Sequence, residues 1–157
     1  QTVVTSHYDS LQWAKPPARF EGGLGNFSGM IATGAAIDYL SKQDMDAVHE
    51  HEVKLNKIMT NGVKDLNGIE IIGPEDASLR GGICSLLMHE LPAHDMAILL
   101  DEAANVMVRS GQHCVHSWFN SKGHVNGSLR ASAYMYNTEE EAKLFSDTLE
   151  EIVNAFS

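Results

Sequence analysis

The sequence predicts an α/β (α+β) sandwich, with helices packed on a small, mixed or mostly antiparallel sheet. Three observations lead there. Apolar residues recur at helical spacing in four segments. Short runs of strand-forming residues, bounded by Gly, Pro or Asn, lie between the later ones. The chain has 157 residues, 43% of them apolar, which is enough for one ordinary domain with a core.

Residues 1–26 carry Pro16-Pro17 and the glycines Gly22, Gly23 and Gly25 without a sustained period, which predicts extended or looped backbone. From Asn26 the pattern turns helical, with Met30, Ile31, Ala35, Ile37 and Leu40 suiting one short helix. A second helix is expected from about Asp46 to Leu66, with Val48, Leu55, Ile58, Met59, Val63 and Leu66 inward and His49 and His51 on a solvated face. Asn67-Gly68 reads as its C-cap. Ile69–Ile72 is a strand closed by Gly73-Pro74, and Gly82–Met88 is the next. Pro92 opens a helix whose Ala93, Met96, Ala97, Leu100 and Ala104 share a face, and Asn105 stops it. Val106–Val108 and Ser128–Met135 are expected strands. Thr138 and Glu141 form a capping box ahead of the last helix, whose stripe runs Ala142, Phe145, Leu149, Ile152, Val153 and Phe156.

Charge and composition exclude several classes of partner. A net charge of -10 argues against a nucleic-acid partner and against an anionic membrane surface. No apolar run approaches the roughly 20 residues of a membrane span. The opening QTVVTSHYDS has no basic region followed by an apolar stretch, so no signal peptide is visible. A start at Gln1 rather than Met reads as a fragment or processed product. Two cysteines, Cys84 and Cys114, fit a reducing cytosol with free thiols better than a disulfide framework.

The stretch with most chemistry is Arg109-Ser-Gly-Gln-His-Cys-Val-His116. Cys114 follows a small-residue turn, close in sequence to Arg109, His113 and His116, a setting that suits an activated thiol. It also suits a buried inert thiol. The pattern H-C-x-H is not the pair of pairs that structural zinc prefers, and neighbouring His and Cys point different ways. Arg130 lies among small residues in Ser-Leu-Arg-Ala-Ser, which leaves room for a carboxylate on its guanidinium fork. A surface ion pair with one of 21 acidic residues accounts for it equally well. Cys84, among apolar neighbours, reads as a small buried hydrophobe, and Trp118 and Phe119 read as packing residues.

Several stretches in order carry a resemblance: Arg19-Phe-Glu-Gly-Gly, Gly34–Leu40, Gly73-Pro74, Arg80-Gly-Gly, His94-Asp95, Leu99-Leu-Asp101, Val108–Cys114, and Arg130-Ala-Ser with Tyr136-Asn-Thr-Glu-Glu. From about Trp13 to the end the chain resembles the C-terminal part of group II cysteine desulfurases. These are pyridoxal-phosphate enzymes of the class V aminotransferase family, which also includes selenocysteine lyases. The resemblance implies a fold-type-I homodimer whose large domain holds the cofactor on a lysine. Residues 1–26 would be an extended segment of that large domain, and residues 27–157 the small C-terminal domain. By the same resemblance Cys114 takes sulfur from L-cysteine as a persulfide, leaving alanine, with His113 beside it as a helper. Arg130 clamps the substrate carboxylate, and Arg109 lies near the same site. Gly23 and Leu24 fall where the neighbouring subunit's cofactor phosphate is contacted. A sulfur-acceptor protein or iron–sulfur scaffold would take the persulfide onward, in the cytoplasm.

The chain departs from the family pattern in three places. Gln112 replaces the first of two histidines before the cysteine. Leu24 stands where a threonine hydroxyl is usual, although a backbone amide can still meet a phosphate. None of the seven lysines has the Ser-x-His-Lys setting of the Schiff-base lysine, so the fragment alone is expected to be silent. Two other readings remain: a related enzyme of different chemistry (selenocysteine lyase, aminotransferase or epimerase), and a non-catalytic binding module that kept the fold.

Overall fold

The computed structural model describes residues 2–156. Gln1, on which the reading of a processed start rests, lies outside the described residues. The backbone divides into two compact units, 1–43 and 44–157. The sequence reading set the division at 26/27. In the structure the first long helix counts with the N-terminal unit.

In that unit, residues read as extended or looped backbone form a hairpin. Strand β1 (Val3–Ser6) pairs antiparallel with β2 (Leu11–Trp13), Val3 facing Trp13. The intervening His7–Ser10 turn closes with a backbone bond from His7 N to Ser10 O, and it uses no glycine that would have announced it. Helix α1 (Phe27–Leu40) starts where Asn26 caps it, the side chain accepting from Gly29 N at 2.9 Å. None of its residues is buried, and Phe27, Met30, Ile31, Ile37 and Tyr39 are exposed.

The second unit carries a four-stranded sheet, entirely antiparallel, in the order β3-β4-β6-β5. Its strands are β3 (Ile69–Ile72), β4 (Ile83–Met88), β5 (Arg109–Gly111) and β6 (Ser128–Ser132). Helices α2 (Met45–Val63), α3 (Ala93–Ala104) and α5 (Glu139–Phe156) cover it, and a short α4 (His116–Ser121) lies between β5 and β6. The core is Leu55, Met59 and Val63 of α2, Cys84 and Leu86 of β4, Met96 and Leu100 of α3, Leu129 of β6, and Phe145 and Leu149 of α5. Each large aliphatic side chain buried there contributes about 1.5–3 kcal/mol. Gly62 lets α2 and α5 approach closely: a Cβ there would sit 2.4 Å from the Ser146 Cβ.

Polar groups tie the β3–β4 connection to α2. Buried Asn56 donates to the carbonyls of Gly81 and Ile83, Thr60 Oγ1 donates to Asn56 Oδ1, and Arg80 donates to Thr60. The capping box at the start of α5 is present in both directions, Glu141 N to Thr138 Oγ1 at 3.2 Å and Thr138 N to Glu141 Oε2 at 2.9 Å. The bond from Thr138 N–H holds the Glu141 carboxyl below its ordinary pKa.

Four expectations need correction. Helix α2 ends at Val63, so Gly68 is a left-handed turn residue beyond it and not its cap. The strand expected at 106–108 forms at 109–111. Asn105 adopts the left-handed cap of α3, and Val106 N bonds back to Leu100 O, so the residue belongs to the helix cap. Strand β6 stops at Ser132 rather than Met135. His51 is half-buried, its Nε2 2.9 Å from Asn137 O, because that face of α2 meets the start of α5. His49 is exposed as expected.

Candidate functional site

The site is built by the β5–β6 pair and the turn that leaves β5. Register places Arg109 opposite Arg130, Ser110 opposite Leu129 and Gly111 opposite Ser128. Directly opposed residues share a face, so two guanidinium groups project from the same patch of sheet. Like charges in that position are unfavourable by themselves. Arg109 is exposed and Arg130 half-buried. The Arg130 Nε is buried and has no hydrogen-bond partner. A buried donor left unpaired costs about 1–3 kcal/mol, more on a charged group. The pair is therefore suited to an anion.

Past Gly111 the chain makes a tight turn over Gln112–Val115, closed by Val115 N to Gln112 O at 2.9 Å. Its two central residues both have positive φ, 48° at His113 and 63° at Cys114. That is the φ pattern of a type I′ turn, a conformation dominated by Gly, Asn and Asp. Left-handed backbone costs about 1–2 kcal/mol for each non-glycine residue. The turn's own bond returns about 0.5–1.5 kcal/mol. Further contacts hold it. Gln112 Nε2 donates to Val125 O at 2.8 Å and to Asn120 Oδ1 at 3.2 Å. His113 Nε2 lies 3.1 Å from Ser128 Oγ, and its ring sits 6.3 Å from that of Phe119, tilted.

The turn puts its two side chains in different settings. Cys114 is exposed, and its thiol is free. His113 is half-buried, with Nδ1 buried and unpartnered. Loss of water, then the charges of Arg130 and Arg109, pull its pKa below the ordinary 6.5, against an opposing bond with Ser128. The ring is therefore neutral at neutral pH. Cys84 lies in the core, its thiol pushed above the ordinary 9.0 by burial, against the opposing Arg80.

Gly127 brings β5 and β6 together at this point. It is buried at φ +73°, and a Cβ there would stand 2.2 Å from the carbonyl carbon of Gly111. Phe119 of α4 is buried and Trp118 packs edge-on against it at 4.9 Å while remaining exposed. Sequence reasoning missed α4, because six residues carry too little periodicity to register. It also missed Ser128, Gly127 and Asn120, whose roles exist only once the strands pair.

Of the residues singled out in the sequence, Arg109 and Arg130 oppose each other across the β5–β6 pair, the charges of both reach His113, and Cys114 follows His113 on the turn that leaves β5. His116 is exposed in α4. Gly23 and Leu24 belong to the N-terminal unit, where they border an open groove with Thr2–Ser6, and Leu24 is exposed. All seven lysines are exposed, with Lys54 paired to Glu139 and Lys143 to Asp147. Among the described residues, no three His, Cys, Asp or Glu side chains converge as a metal site requires, and no helix is long and apolar enough to cross a membrane.

Residues 1–145 match the family described as Aminotransferase class-V. A probable cysteine desulfurase of Methanothermobacter thermautotrophicus is 38% identical over 156 residues, which cover 96% of this chain and 38% of that protein. One from Pyrococcus abyssi is 38% identical over 141 residues, covering 90% of this chain and 34% of that protein. The apo structure of a cysteine desulfurase from Thermococcus onnurineus superposes with a TM-score of 0.80 at 34% identity, covering 98% of this chain and 38% of that one. The chain thus spans little more than a third of the length of the relatives it matches.

Proposed function

The chain belongs to the class-V aminotransferase family, and from that premise we propose that it is the sulfur-accepting part of a pyridoxal-phosphate-dependent cysteine desulfurase. One observation carries the reading. An exposed thiol, Cys114, stands on a strained turn that leaves the strand of Arg109, and Arg109 opposes Arg130, which holds a buried unpaired N–H.

The roles follow from chemistry. Arg130, with Arg109 beside it, binds the carboxylate of L-cysteine, which neutralises their mutual repulsion and gives the Arg130 Nε an acceptor. Cys114 attacks the substrate sulfur as thiolate. A sulfur–sulfur bond forms on Cys114 while the substrate carbon–sulfur bond breaks. The electron pair of that bond would be stabilised by the bound pyridoxal cofactor, whose chemistry is to act as an electron sink, and the carbon takes a proton and becomes alanine. His113, held neutral and adjacent to Cys114 on the turn, orients or polarises the reacting group.

The cofactor would be carried on a lysine outside this chain, with Gly23 and Leu24 offering at most backbone amides to its phosphate. In the proposed enzyme, residues 1–26 belong to the large cofactor domain and 27–157 form the small domain of a homodimer. By itself the chain is then silent; a stoichiometric, borohydride-fixable adduct of the isolated chain with pyridoxal phosphate would contradict that. A persulfide must be passed on, so the reading includes an acceptor protein or iron–sulfur scaffold. The two free thiols suit a reducing cytoplasm.

The test is Cys114→Ala in the complete enzyme. Sulfur release should vanish while the cofactor spectrum stays unchanged. A lost spectrum would make the residue structural, and retained sulfur release would remove its role.

A further inference from the structure

We propose that Gln112 is the positioning residue for the Cys114 thiol, through a clamp made by its side-chain amide. The inference rests on the desulfurase reading and adds a residue to it. Gln112 occupies the first position of the turn that carries Cys114, and its own carbonyl accepts the closing bond from Val115 N. The same residue spends both hydrogens of its amide elsewhere, one on Val125 O in the connection to β6 and one on Asn120 Oδ1 in α4. Three separate stretches of chain therefore meet at one side chain.

The turn needs such a clamp. Its two central residues are a histidine and a cysteine in left-handed backbone, and the single turn hydrogen bond does not offset that strain. Without the amide, relaxation would rotate the Cys114 Cα–Cβ bond away from the substrate side while leaving β5, β6 and their arginines paired. The effect should therefore fall on the sulfur-transfer step and not on substrate binding. An amide is also neutral at every working pH, so the clamp does not loosen as His113 titrates. A neutral imidazole at position 112 has one N–H and can satisfy one of the two acceptors.

The experiment compares Gln112→Met, which keeps length and loses both donors, with Gln112→His and Asn120→Ala in the complete enzyme. Single-turnover formation of the Cys114 persulfide and of alanine is measured with steady-state kcat and KM for L-cysteine. The unfolding midpoint is recorded alongside. Gln112→Met should lower kcat and the single-turnover rate by about 10- to 100-fold, the scale expected for displacement of a reacting atom by an ångström or less. KM should stay within about twofold. Gln112→His should recover part of the rate, and Asn120→Ala should fall between Gln112→Met and the parent. A folded Gln112→Met at the parent rate would overturn the proposal. So would kcat, KM and unfolding midpoint falling together without rescue by histidine. Should Gln112→Met fail to fold, an Asn120→Ala enzyme at the full parent rate would overturn it equally. The underlying reading fails separately, if Cys114→Ser still yields alanine at the parent rate.

Discussion

Replacing Gly127 by alanine tests whether the β5–β6 pairing sets the site's geometry. The new Cβ would lie 2.2 Å, 2.3 Å and 2.7 Å from the C, O and Cα of Gly111. These are backbone atoms of a residue already paired with Ser128, so no side chain can swing away. Ordinary contact begins at 3.4 Å, so β5 must retreat by about 1 Å. That carries Arg109 and the Gln112–Val115 turn away from Arg130, and a misplacement of this size costs about 10²-fold in turnover. Two terms lower stability: about 1–2 kcal/mol for a side chain at φ +73°, and about 1–3 kcal/mol for overpacking. Gly123 supplies the control. It has φ +77° with nothing within 4 Å of an added Cβ, so Gly123→Ala should show only the first term and keep its turnover. The assay is alanine release from L-cysteine by the complete enzyme, with thermal unfolding run in parallel. If Gly127→Ala folds and turns over within about threefold of the parent, register at this pair does not govern the chemistry and the reasoning fails.

Three further predictions follow from the same geometry. Arg130→Lys should lower kcat/KM for L-cysteine by about 10- to 100-fold in steady-state assays, because an ammonium cannot reproduce the planar fork; an unchanged kcat/KM would remove the carboxylate clamp. In native protein iodoacetamide should label Cys114 well ahead of Cys84, whose thiol is buried and raised in pKa; peptide mapping showing equal labelling would contradict the core placement of Cys84. The third concerns His113, whose folded pKa lies below the unfolded 6.5. The unfolded state therefore binds more protons as pH drops through 6.5, and stability declines from there down to the folded pKa. Chemical denaturation at pH 7.5 and 5.5 should show a smaller loss for His113→Gln than for the parent.

Much of the fold was legible because its signals are local. Thr138 and Glu141 announce the start of α5 three residues apart, and Asn105 announces the end of α3. The apolar stripes of α2, α3 and α5 contain the residues that became the core. What was not legible depends on distant pairing or on residues used against type. Val106 could not be read as part of a cap, since its bond to Leu100 O needs the left-handed Asn105 first. The His7–Ser10 turn uses no glycine, and Asp9 and Ser10 alone mark a turn without marking the hairpin it closes. At the proposed site, Cys114, His113, Arg109 and Arg130 stand out in the sequence by residue type and motif. The turn that presents Cys114 was not, because His-Cys is not a pair that predicts positive φ. Gln112 stood out only as a departure from a pattern; its amide bonds appear once α4 and the 122–127 connection fold over it.

The central claim is that the sulfur of L-cysteine is transferred to Cys114. It is tested most directly by quenching the complete enzyme with an alkylating agent after a single turnover and mapping its peptides by mass. One additional sulfur atom on the Cys114 peptide, appearing at the rate of alanine, is the predicted result. Alanine formed while the Cys114 peptide keeps its original mass, or added sulfur found on Cys84 instead, would contradict it.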